Sequence, residues 1–229
     1  MSRQKEEHDH RMRRMYGGVC RDPKYSTDNA GNQQIIEERN RSLEQAVLSN
    51  RGLCEGSVLE IGCGEGGCLP FLCDMGIKDS QLIGIDLVSD RLHRAHRYYS
   101  GMSFLNADAA ALPFSDKTFS IILIIVMFST ILDSAVRANI AREALRVLRN
   151  DGLLIVYDFR YNNPGNPDVR GVRESDIRRL FEGCLIRFQH ITLLPPLARR
   201  LGRYTRTLYP LLSRFSFLRT HYLCTIQRT

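Results

Sequence analysis

The chain has 229 residues, 43% of them hydrophobic and 25% charged, enough for one substantial buried core. Its longest apolar run, Ile121 to Phe128, is far shorter than the roughly 20 residues a membrane span needs, and the charged opening MSRQKEEHDHRMRR has no apolar stretch behind it to make a secretory signal. The net charge of +7 is uneven: no acidic residue follows Glu182, and Arg187, Arg199, Arg200, Arg203, Arg206, Arg214, Arg219 and Arg228 lie beyond it, leaving the first 182 residues at −1.

In chain order, residues 1–27 are polar and irregular, with Tyr16 and Tyr25 read as packing residues. Ile35, Ile36, Leu43, Val47 and Leu48 predict a helix over 32–48. A strand is predicted at 57–61, then a glycine-rich turn and a helix near 69–75. A strand at 81–86, a helix near 90–99 and a short strand at 102–106 follow. Next come an isoleucine-rich strand at 119–126, a helix at 135–148, and an Asn150-Asp151-Gly152 turn into a strand at 153–158. A helix near 174–181, a strand at 185–194 and a last strand at 222–226 complete the series. Such alternation predicts an α/β Rossmann-like three-layer sandwich with a mainly parallel sheet. Ligands of such sheets bind at the carboxyl ends of the strands.

Seven cysteines occur, none as a CxxC pair, and they read as reduced thiols of a cytoplasmic protein; no metal site is expected. Between Leu194 and Arg219, the residues Leu197, Leu201, Tyr204, Leu208, Leu211, Phe215 and Leu218 recur at spacings of three or four on a face broken near Pro210, with arginines opposite. Two readings stand: a helical insertion at about 195–219 that roofs the site, or a basic amphipathic surface touching anionic lipid or a phosphate-bearing substrate.

The chemistry concentrates in three motifs. Val58-Leu59-Glu60-Ile61-Gly62-Cys63-Gly64-Glu65-Gly66-Gly67 ends an apolar strand in a glycine turn, where the backbone must bend tightly or approach a ligand. Gly62-x-Gly64-x-x-Gly67 also fits a dinucleotide fingerprint. In Gly84-Ile85-Asp86-Leu87, an acidic residue closes the second strand 24 residues after Gly62, placed to accept from ribose hydroxyls. Both NAD and S-adenosylmethionine suit those two motifs. Asn106-Ala107-Asp108-Ala109-Ala110-Ala111-Leu112-Pro113-Phe114 follows the third strand.

Taken together, in order and at this spacing, the three motifs resemble class I S-adenosylmethionine-dependent methyltransferases, in particular the small-molecule type 11-like group. The resemblance runs from about Ser57 to Asp158 and takes in Glu143-Ala144-Leu145-Arg146-Val147-Leu148-Arg149-Asn150-Asp151-Gly152. It implies a seven-stranded sheet with an antiparallel last strand, and a methyltransferase domain at 53–229 behind an N-terminal cap segment and helix at 1–52. It also implies S-adenosyl-L-methionine as cofactor. Gly62, Cys63 and Gly64 would lie against its methionine and ribose, Glu60 would hold its amino end, and Asp86 its ribose hydroxyls. Leu87 would pack on the adenine, Asp108 accept from the adenine amino group, Ala109 meet a ring nitrogen, and Val126 line the methionine side. One departure is Ser120, where the family commonly has aspartate.

Methyl transfer is an in-line displacement, so the protein chiefly aligns the reactants, with a general base where the acceptor is a hydroxyl or thiol. Asp158 and Tyr161 are the catalytic candidates. Phe128, Ser129, Arg160, Tyr161, Asn162 and Asn163 are the acceptor candidates, in segments rich in aromatic, amide and charged groups. The N/D/S-P-P-Y/F signature of amide and exocyclic-nitrogen methylation is absent after the fourth strand. A small molecule, or a small group on a carrier, is therefore the expected acceptor rather than nucleic acid, with peripheral anionic membrane contact through the basic C-terminal region. The alternatives are an NAD-dependent oxidoreductase, which leaves Asp108 and Leu112-Pro113-Phe114 unexplained, a non-catalytic S-adenosylmethionine-binding protein, and an RNA methyltransferase.

Overall fold

The computed structural model describes residues 26–162 and 166–229; Tyr16, Tyr25 and Asn163 lie outside them. Helix α1 spans Ala30–Leu48, opened by Asn29, whose side chain accepts from the Gly31 and Asn32 amides. Strands β1 (Val58–Ile61), β2 (Leu82–Asp86), β3 (Ser103–Asn106), β4 (Phe119–Ile125), β5 (Leu148–Phe159), β6 (Cys184–Leu193) and β7 (Arg219–Arg228) form one sheet. Its order is β3-β2-β1-β4-β5-β7-β6, parallel except for β7, which pairs antiparallel with both neighbours.

The central strands are buried on both faces, and alternation divides their side chains between two cores. Leu59, Ile61, Ile122, Ile124, Leu154 and Val156 face Ile140, Ala144 and Val147 of α4 (Ser134–Val147) and Ile177 of α5 (Glu174–Leu180). Val58, Ile121, Leu123, Leu153 and Ile155 face Leu43 and Val47 of α1, and Leu69 and Leu72 of α2 (Leu69–Asp74). Helix α1 thus shares the core of the sheet. Helix α3 (Ser89–Tyr98) buries Leu92 and Ala95. No described helix is long and apolar enough to cross a membrane.

Two local expectations are corrected. Asn150-Asp151-Gly152 is not a turn but part of β5, whose pairing with β4 jumps from Phe119–Leu148 to Ile121–Leu153 and so bulges there. An Arg149–Asp151 ion pair at 3.0 Å spans the bulge. At Gly152, a Cβ would lie 2.7 Å from Leu148 Cδ1. The helical face after β6 does not break at Pro210, which sits inside α7 (Thr205–Leu212). The break falls earlier, where Gly202 at φ +51° follows α6 (Pro195–Arg200). Pro210 removes only one intrahelical bond, near the end of α7.

Serine at position 120 has a local reason. Its hydroxyl donates to Leu53 O (2.8 Å) and lies within 3.0 Å of Ser57 O, at the start of β4 and away from the strands' carboxyl ends. An aspartate there would set a carboxylate against two carbonyl oxygens.

Candidate active site

The glycine turn is held by hydrogen bonds to the end of β2. Gly62 and Cys63 donate to Ile85 O at 2.8 and 2.9 Å, and Gly64 donates to Asp86 Oδ2 at 2.8 Å. Gly62 and Gly64 have φ of +76° and +56°, which glycine adopts without strain. A Cβ on Gly64 would lie 2.1 Å from Arg91 Nη2, and one on Gly62 3.0 Å from Met127 Sδ. Cys63 is buried, and burial pushes its thiol well above the ordinary range, so it packs as a neutral group.

Three carboxylates stand in a row at or just beyond the carboxyl ends of β1, β2 and β3. Glu60 is 3% exposed; burial pushes it up to about 8, opposed by Arg39 of α1 and the Leu69 amide. Its Oε2 is buried without a hydrogen-bond partner among the described residues. Asp86 accepts from the Val88 amide (2.9 Å) besides Gly64, and Arg91 Nη1 lies 3.6 Å from its Oδ2. Asp108 accepts from Ala110 N at 2.9 Å. Half-buried Leu87 and Ala109 lie beside Asp86 and Asp108, and Asn106 Nδ2 ties the row together by donating to Asp86 O and Leu87 O.

The Leu112-Pro113-Phe114 stretch is clamped to α4. Leu112 N donates to Glu143 (2.8 Å), while Arg146 donates to the Leu112 and Phe114 carbonyls and pairs with Glu143 and Asp116.

At the end of β4, Val126 has φ +51°, costly for a β-branched residue, and is held by its amide bond to Tyr157 O at 2.7 Å. Beside it lies a second buried polar cluster. Asp158 is 0% exposed; burial raises it to about 6 although the Ser129 and Phe159 amides donate to it. The Ser129 side chain also faces Asp158 and opposes the effect of burial, while Tyr222 OH and Arg137 Nη2 are buried and lack a hydrogen-bond partner among the described residues. The charges of Asp158 and Asp176 oppose the effect of burial on Arg137, which is to lower its pKa.

The acceptor expectations divide. Ser129 and Asp158 meet. Phe128 does not join them at a surface: it is fully buried, edge-on to Phe181, because the 3-10 turn Phe128–Thr130 points it into the core. Arg160 is a tether, donating to Ser216 O and Arg219 O and stacking on Tyr161. Tyr161 is half exposed. Asn162 accepts from Gly171 N and helps line a cleft of about 330 Å³ with Leu132, Asn166, Pro167, Val169 and Arg170. Sequence reasoning missed Arg39, Arg91, Arg137 and Tyr222, which no motif marks.

Comparison with known proteins accords with this geometry. Residues 58–152 match the family of methyltransferase domains. Over 101 residues the chain is 37% identical to a candidate 23S rRNA (guanine-N(1)-)-methyltransferase of Bacillus subtilis (strain 168), covering 43% of this chain and 32% of that one. Over 144 residues it is 29% identical to a sterol 4-C-methyltransferase of Caenorhabditis elegans, covering 59% and 41%. The chain thus spans less than half the length of these curated relatives. The fold matches geranyl diphosphate C-methyltransferase of Streptomyces coelicolor A3(2), solved with Mg2+, geranyl diphosphate and S-adenosyl-L-homocysteine. That match has a TM-score of 0.66 at 12% identity, over 97% of this chain and 98% of that one.

Proposed function

The chain carries a class I S-adenosylmethionine-dependent methyltransferase domain, and from that premise we propose that it transfers the cofactor's methyl group to an apolar, lipid-like small molecule. The observation that carries the reading is the row Glu60, Asp86 and Asp108 beside a turn in which Gly62, Gly64 and Gly66 take the positive φ that favours glycine. The fit to the cofactor is chemical. The unpartnered Glu60 Oε2 suits an ammonium group, and Asp86 suits paired hydroxyls. Asp108 with the Ala109 amide suits the edge of an adenine, and Leu87 its face. Gly62, Cys63, Gly64 and Val126 would line the methionine and ribose.

S-adenosylmethionine supplies, when bound, an electrophilic methyl group on a sulfonium. The protein's own part is alignment and, for an acceptor that must lose a proton, a base. Asp158, raised to about 6 by burial and close to the unpartnered polar groups of Tyr222 and Arg137, is suited to hold that proton and to seat a polar head. Tyr161 and Leu132, both exposed beside the 330 Å³ cleft, offer apolar surface to the rest of the acceptor, and the sterol-methylating relative supports this acceptor class.

The test supplies methyl-tritiated S-adenosylmethionine with sterol, fatty-acid and RNA pools in parallel. Label in the organic phase is expected. Label confined to RNA would replace the lipid reading with an RNA-modifying one. No label, with S-adenosylhomocysteine still bound, would make the chain a cofactor-binding protein without transfer.

A further inference from the structure

The segment between β6 and β7 leaves a set of apolar side chains uncovered. Leu194, Tyr204, Leu211, Phe215 and Phe217 are exposed, Phe217 at 71%. The Phe215 and Phe217 rings lie 5.8 Å apart, and Leu194 N donates to Leu218 O, bringing that leucine to the same tip. Arg200, Arg203, Arg206 and Arg214 are exposed in the same segment, and no acidic residue follows Glu182. The other side of the insertion is firmly held. Tyr209 OH donates to Glu38 of α1 (2.6 Å), Arg199 Nε donates to Asn32 (2.9 Å), and a Cβ on Gly31 would lie 2.2 Å from Ala198 O. The exposed tip is therefore a rigid projection. Through Arg160, which donates to Ser216 O and stacks on Tyr161, it joins the loop that borders the acceptor cleft.

We propose that the 194–218 insertion is a membrane-docking surface, in which Phe215, Phe217 and Leu211 enter the interface of an anionic bilayer while Arg200, Arg203, Arg206 and Arg214 contact its headgroups. Charge complementarity selects this occupant. Exposed aromatic and aliphatic side chains in a segment that carries four exposed arginines and no acidic residue of its own match the apolar boundary and negative surface of such a leaflet. Helices α6 and α7 of the insertion have six and eight residues, far short of the roughly 20 a span needs, so its contact lies at the surface. The Arg160 tether then sets the Tyr161 side of the cleft toward the lipid, so that an apolar acceptor enters without crossing water. That last consequence alone rests on the lipid-like acceptor proposed above.

The chain has no tryptophan, so a single Phe217→Trp substitution gives a probe at the tip. Tyr98→Trp, 69% exposed at the end of α3 near the opposite sheet edge, gives the control. With vesicles of phosphatidylglycerol and phosphatidylcholine, emission from position 217 shifts to shorter wavelength and is quenched by spin-labelled acyl chains, while position 98 does neither. Each exposed arginine near an anionic surface strengthens partitioning about fivefold. Replacing the four by Gln therefore weakens vesicle binding by several hundredfold, about 600-fold if the four act independently, and high salt weakens it likewise. Phe215→Ser with Phe217→Ser removes binding while calorimetric binding of S-adenosylhomocysteine stays as in the unaltered chain. Equal shifts at both positions, binding to neutral vesicles alone, a shift with RNA but not vesicles, or a dimer that buries position 217 would each overturn the proposal. Vesicle binding without methylation of any lipid would leave the docking surface standing and refute only the acceptor reading.

Discussion

Gly64 donates its amide proton to Asp86 Oδ2 across 2.8 Å, so the turn after β1 and the carboxyl end of β2 form one unit. Losing a charged hydrogen-bond partner there costs about 1.5–3 kcal/mol. Asp86→Ala should therefore weaken calorimetric binding of S-adenosylhomocysteine by about 10- to 100-fold, with no binding of NAD in either form. An unchanged dissociation constant would remove Asp86 from the site.

Glu60, raised from 4.5 to about 8, carries a proton at neutral pH that the unfolded chain has lost. Stability therefore falls as pH rises from 4.5 through 8 and levels off above. An incoming ammonium favours the ionised form, so S-adenosylhomocysteine binding should tighten toward pH 8 and release a proton below it. Calorimetry at pH 6, 7 and 8 in buffers of different ionisation heat measures both. Glu60→Gln should flatten the dependence; an equally steep profile in that variant would assign it to another group.

Asp158, raised from 3.8 to about 6, should give the turnover rate a rising acidic limb centred near 6 if it accepts the acceptor's proton. Asp158→Asn should abolish that limb and lower the rate by about 100-fold or more. It should also remove a loss of stability that sets in as pH rises from 3.8 through 6. A limb retained in the variant places the base elsewhere.

Arg146 bonds the Leu112 and Phe114 carbonyls as well as Glu143 and Asp116. Arg146→Ala leaves part-buried carbonyls unpaired and should cost about 1–3 kcal/mol in urea unfolding. Arg146→Lys should recover only part, since a single ammonium cannot span the same acceptors. A midpoint unmoved by Arg146→Ala would refute the clamp.

What the sequence determined by itself was local. The unbroken apolar run Ile121-Ile122-Leu123-Ile124, the three- and four-residue spacing of α4, and the glycines that the turn after β1 requires all act within a few residues. They are readable from residue type, and the order of helices and strands follows from them, while the seven-stranded sheet with its antiparallel last strand was implied by the family resemblance. The site was legible where one strand end and its turn supply it, as at Glu60, Asp86 and Asp108. Tertiary structure decided the rest. It placed β7 between β5 and β6, turned Phe128 into the core, and stretched Asn150-Asp151-Gly152 into a strand. It gathered Ser129, Arg137 and Tyr222 around Asp158 from different elements, and it tied Arg160 to Ser216, 56 residues away. These depend on burial and on partners distant in the chain, and no local pattern of residue types encodes which distant group a buried donor will meet.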